Sequence, residues 1–100
     1  MRKIINGRAY DTNTAKLLTV WDNNVSPSDF GYTAESLFIK RTGEYFLHGE
    51  SNAGGKYARL SYGMYGHGEG ITPLTKEEAM AWVESRANDE YENIFGKVEE

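Results

Sequence analysis

The stretch 36-SLFIKRTGEYFLHGE-50 decides how this chain folds. Two runs, Leu37-Phe38-Ile39 and Tyr45-Phe46-Leu47, flank Arg41-Thr42-Gly43. Aromatic and β-branched side chains fit a pleated, half-buried surface. Gly43 suits the left-handed position of a three-residue hairpin loop with a bulge. A lone two-stranded hairpin is marginal in water, so the pattern predicts a small antiparallel sheet of three to five strands around a central hairpin at 36–49. Its third partner is expected at 57-YARLSYGMY-65, where Tyr57, Arg59, Ser61 and Gly63 alternate with Ala58, Leu60, Tyr62 and Met64.

Toward the N-terminus, Asn6-Gly7 between Ile4-Ile5 and Ala9-Tyr10 supplies the two positive-φ residues of a type I′ turn and predicts a small hairpin. The segment 11-DTNTAKLL-18 offers Asp11, Thr12 or Thr14 as a cap and reads as one turn of helix at most. Strand-like 19-TVW-21 then enters 22-DNNVSPSDFGYT-33, a loop rich in Asn, Asp, Ser, Pro and Gly. Toward the C-terminus the period changes. In 75-TKEEAMAWVESRA-87, Thr75 and Glu78 form a capping box, and Ala79, Trp82, Val83 and Arg86 or Ala87 lie along one stripe. This predicts a helix over 76–87. A short helix over 89–95 follows, with Asn88 or Asp89 as cap, Tyr91, Ile94 and Phe95 toward the sheet, and Gly96 as its stop. The expected fold class is α+β, in one domain spanning 1–100.

Without cysteine there is no disulfide frame, thiolate zinc site or thiol nucleophile. No apolar run reaches the length of a signal peptide or a membrane span, so a cytoplasmic, unprocessed protein is expected. The net charge of −4 is unevenly spread: residues 1–74 balance to +1 and residues 75–100 to −5. An acidic block repels nucleic-acid phosphates and suits a basic protein groove, although it also describes an ordinary solvated helix face.

The triplet His48-Gly49-Glu50 returns as His67-Gly68-Glu69. A His-x-Glu pair on a strand puts both side chains on one face, so these four residues are the candidates for a metal site or a general base with its orienter. The simpler expectation is turn chemistry, with His48-Gly49-Glu50 ending a strand and His67-Gly68-Glu69 in a flexible glycine-rich connection to the helix. That connection, 63-GMYGHGEG-70, alternatively forms a partner-binding tip carrying Tyr65 and His67. No serine sits in a nucleophile elbow, no phosphate-loop signature is present, and no cofactor is expected. Arg41, Lys56 and Arg59 near Tyr45, Tyr57 and Tyr62 are candidates for nucleic-acid contacts, against which stand the negative charge and the need for aromatics in the core.

The segments 1-MRKIINGRAYDTNTAKLL-18, 29-DFGYTAESLFIKRTGEYFLHGE-50 with 56-KYA-58, 72-TPLTKEEAMAW-82 and 91-YENIFG-96 together resemble a set of small proteins carried by phages, plasmids and integrative elements of Firmicutes. That set includes anti-CRISPR proteins that inhibit type II RNA-guided nucleases. The resemblance implies a host-defence inhibitor in the bacterial cytoplasm, with the CRISPR effector nuclease as partner, and carries over no catalytic residue. Joined to the charge distribution, it points to a stoichiometric binder using Asp89, Glu90, Glu92, Glu99 and Glu100, with Tyr91 as an anchor and Glu77, Glu78 and Glu84 extending the patch. The alternatives are a metal-dependent nuclease or hydrolase using His48, Glu50, His67 and Glu69, and a nucleic-acid-binding accessory protein of a mobile element.

Overall fold

A computed structural model describes residues 1–100. Its strands are β1 (Arg2–Ile5), β2 (Arg8–Asp11), β3 (Lys16–Asp22), β4 (Thr33–Ile39), β5 (Tyr45–Ser51), β6 (Arg59–Ser61), β7 (Met64–Gly66) and β8 (Gly68–Leu74). They are followed by α1 (Lys76–Arg86), a 3-10 turn at Asn88–Glu90 and α2 (Tyr91–Phe95). The fold is α+β: a four-stranded antiparallel sheet in the order β3-β4-β5-β8, with β1-β2 and β6-β7 as separate two-stranded hairpins.

The central hairpin forms where 36–49 placed it and extends to Thr33 and Ser51. Gly43 turns it at φ +90°, its N–H donating to the Lys40 carbonyl. Asn6 and Gly7, at φ +51° and +77°, close the N-terminal hairpin. Period-2 alternation then separates two cores. Leu37 and Leu47 face α1, where Ala79, Val83 and Ala87 meet them. Phe38, Phe46 and Ile71 point the other way and are covered by Tyr10 of the β1-β2 hairpin. The Phe46 ring stacks on Phe38 at 5.1 Å and meets Tyr10 edge-on at 5.5 Å, both favourable arrangements of aromatic quadrupoles. Glu44 ties that hairpin down by accepting from Arg8 at 2.8 Å and Lys40 at 3.2 Å. The Arg8 guanidinium, helped by Thr42 and Lys40, holds its carboxyl down at about 2.

Several expectations need correction. The third partner of the central hairpin is not 57–65. Tyr62 and Gly63 adopt φ +51° and +75°, so that segment folds back on itself as β6-β7, and the sheet is completed by β3 and β8. The glycine-rich connection is not a flexible loop, since Gly68–Leu74 is a seven-residue strand paired along all of β5. Residues 11–18 contain a turn, in which the Asp11 carboxylate accepts the Asn13 N–H at 2.8 Å, but Leu17 and Leu18 belong to β3, which bulges between Leu17 and Thr19.

The Thr75–Glu78 capping box is present in both directions, at 3.1 and 2.9 Å. The second helix has no side-chain cap. Asn88 instead donates to the Glu84 carbonyl at 2.9 Å and so closes the end of α1, while Gly96 at φ +94° follows the last turn of α2. Tyr91, Ile94 and Phe95 pack against the helix-side core.

Candidate functional site

The β5-β8 register sets Glu50 opposite Glu69 and Gly49 opposite Gly70. The two His-Gly-Glu triplets therefore meet on adjacent strands, which corrects their reading as unrelated turns. His48 Nε2 lies 3.1 Å from Glu69 Oε2, and His67 Nε2 lies 3.7 Å from Glu50 Oε2. Like charges directly opposite on a sheet repel, and each carboxylate is met diagonally by the other strand's histidine. Asn52 orients the His67 ring. Its amide nitrogen donates to the carbonyls of Pro27 and Asp29 at 2.9 and 2.7 Å, so its oxygen faces His67 Nδ1 at 3.3 Å and that nitrogen donates. The four residues sort into two pairs, and no three His, Asp or Glu side chains converge closely enough to hold a metal ion.

On the opposite face lie glycines, Gly49 inside the first triplet and Gly70 just after the second. A Cβ at Gly49 would lie 1.9 Å from Cζ of Tyr57, and one at Gly70 would lie 3.7 Å from Cδ1 of the same ring. The Tyr57 ring thus rests on bare backbone. From there its hydroxyl donates to Glu35, which is 3% exposed and lies across the β4-β5 ladder from Gly49. Trp82 of α1 donates its Nε1–H to the other Glu35 oxygen at 2.9 Å, and Lys56 Nζ approaches at 3.3 Å. Arg86 covers Trp21, the β3 neighbour of Glu35, at 4.1 Å from the ring centroid. Burial pushes the Glu35 carboxyl up, but hydrogen bonds from Trp82 and Tyr57 and the charge of Lys56 outweigh it and hold the group below the usual carboxylate range. Burial and then Glu35 raise the Tyr57 hydroxyl. No buried side-chain polar atom lacks a partner. This closed network clamps the Lys56-Tyr57 segment and α1 onto the sheet. It was absent from the expectations, yet Glu35 sits in phase with Leu37 and Ile39, and that alternation marks it as inward-facing.

The acidic segment is arranged differently. Asp89, Glu92, Glu99 and Glu100 are exposed and Glu90 is half-buried. Glu90 accepts from Asn93 at 3.2 Å, and Glu92 accepts the Val98 N–H at 3.3 Å. Only Glu35, Glu44, Glu50 and Glu69 have a Lys, Arg or His nitrogen within 4.0 Å, so no carboxylate after residue 75 has a cationic partner. Glu84, Asn88, Tyr91, Glu92 and Val98 line a shallow groove there. Tyr91 is shared between two roles, its ring packing 5.2 Å from Phe95 while another part of it borders the groove. Glu77 and Glu84 on α1 are exposed, whereas Glu78 is occupied by its cap. Of the basic candidates, Arg41 lies in the β4-β5 turn, at the opposite end of that hairpin from Lys56 and Arg59. The three do not form one surface.

No family model matches the chain, and neither a curated protein nor a solved structure is significantly similar to it.

Proposed function

We propose that this chain is a mobile-element-encoded anti-CRISPR inhibitor that binds a type II RNA-guided nuclease stoichiometrically through its acidic C-terminal surface. The observation that carries this reading is the set of carboxylates after residue 75, none of which is neutralised by a cation of its own chain. A groove built to hold a polyanion is basic, and unpaired carboxylates on a compact body are complementary to it. Such charges act mainly by steering encounter. The exposed edge of Tyr91, bordered by Glu84 and Glu92, supplies an amphipathic contact of the kind enriched at binding hot spots. The identity of the target rests on the resemblance of the N-terminal and central segments to anti-CRISPR proteins.

Charge reversal tests the surface. Asp89→Lys combined with Glu92→Lys, both at exposed positions, leaves the fold intact by circular dichroism. It slows association with the nuclease by about tenfold at low salt, a difference that shrinks as salt rises. Inhibition by this variant equal to wild type at every salt concentration removes the acidic surface from the mechanism.

A further inference from the structure

The β6-β7 hairpin is unlike the rest of the molecule. It pairs with no strand of the main sheet, and its apolar side chains lie in the open: Tyr62 is fully exposed, and Leu60, Met64 and Tyr65 are more than half exposed. A free two-stranded hairpin is marginal in water, and clustered exposed apolar side chains mark interaction sites. Its charge narrows the partner. Residues 56–68, KYARLSYGMYGHG, hold Lys56, Arg59 and His67 and no acidic residue, in a chain of net charge −4. Arg59 has no carboxylate partner, and Lys56 remains largely exposed although it reaches Glu35. Arg59 and His67 also line a cleft at the hairpin root, whose one acid, Glu69, is engaged by His48.

We propose that the β6-β7 hairpin docks single-stranded nucleic acid, with Tyr62 and Tyr65 stacking on bases while Arg59 and Lys56 face phosphates. Exposed tyrosine rings on a segment that carries cations and no acid suit such a ligand, since stacking tolerates any base and the cations track the backbone. A second copy of the chain is a poorer occupant, because a two-fold contact between hairpins would bring together two segments that carry cations and no acidic residue. These residues are distinct from the acidic segment, so this site and the inhibitor reading stand or fall separately.

Fluorescence anisotropy with labelled twelve-nucleotide oligo-dT and oligo-rU, and with an abasic oligomer of equal length, tests the proposal on the intact chain. Saturable binding is expected at low salt. It weakens with salt, each contacted phosphate contributing about −0.7 to the logarithmic slope. Tyr62→Ala with Tyr65→Ala weakens it by about tenfold or more, with an unchanged melting temperature because neither ring is buried. Three results overturn the proposal: no saturable binding at low salt, equal affinity for the abasic oligomer, or full binding by the double tyrosine variant. Concentration-dependent dimerisation abolished by that variant overturns it too, and assigns the hairpin to a second copy.

Discussion

Gly49 and Glu35 face each other across the β4-β5 ladder and depend on one ring. Tyr57 can reach Glu35 only by lying where a Cβ on residue 49 would be. Gly49→Ala therefore displaces the ring and costs about 1–3 kcal/mol of stability. In a Tyr57→Ala background the same substitution costs little, and a double-mutant cycle by urea unfolding measures the coupling. Additive effects would show that the ring and the glycine are independent. Glu35 also makes stability depend on pH. Its carboxyl is held below its ordinary value of 4.5, so its contribution is fully present above that pH and is lost as pH falls through the lower folded value. Glu35→Gln lowers stability at neutral pH by about 1–3 kcal/mol, because one donor then faces an amide N–H. The variant also loses part of the acid-side slope, measured as melting temperature against pH. Glu44, held at about 2, titrates with the same sign and remains in both proteins.

Local signals carried the elements that were readable from sequence. Asn6-Gly7, Gly43 and the Thr75–Glu78 box each act over a few residues, and each appears in the structure as its chemistry requires. Thr75→Ala removes one half of the box and destabilises the protein by about 1 kcal/mol; thermal unfolding with no loss of stability would show that the cap is dispensable. The elements that were missed depend on distant partners. β8 reads as a loop because Gly68 and Gly70 have poor strand propensity, yet glycine at 68 is what its neighbours demand: a Cβ there would lie 2.1 Å from the Tyr57 carbonyl oxygen. β3 shows in the sequence only over 19–21 because its bulge after Leu17 interrupts the alternation. Conversely, 57–65 alternates like one strand, but the left-handed Tyr62-Gly63 pair makes it two. The His-Glu pairs were hidden for a related reason, since the diagonal contacts of His48 with Glu69 and His67 with Glu50 exist only once β8 takes the edge of β5.

Across its whole length the molecule separates its charge and its chemistry. Residues 1–74 are nearly neutral and their buried or opposed carboxylates are matched by Lys, Arg or His, whereas the −5 balance of residues 75–100 is left to solvent on α1, α2 and the tail. Internal pairing holds the sheet, and the unpaired remainder is available to a partner. Under the proposed function that partner is the nuclease, and the acidic surface is the means of reaching it. The most direct measurement is co-purification of this protein with type II effector nucleases, both free and loaded with guide RNA, read beside DNA cleavage at increasing protein-to-nuclease ratios. The account predicts a stable complex with at least one of them and cleavage that ends near a one-to-one ratio. Full cleavage at large excess, with no complex in either state across several such nucleases, would contradict it.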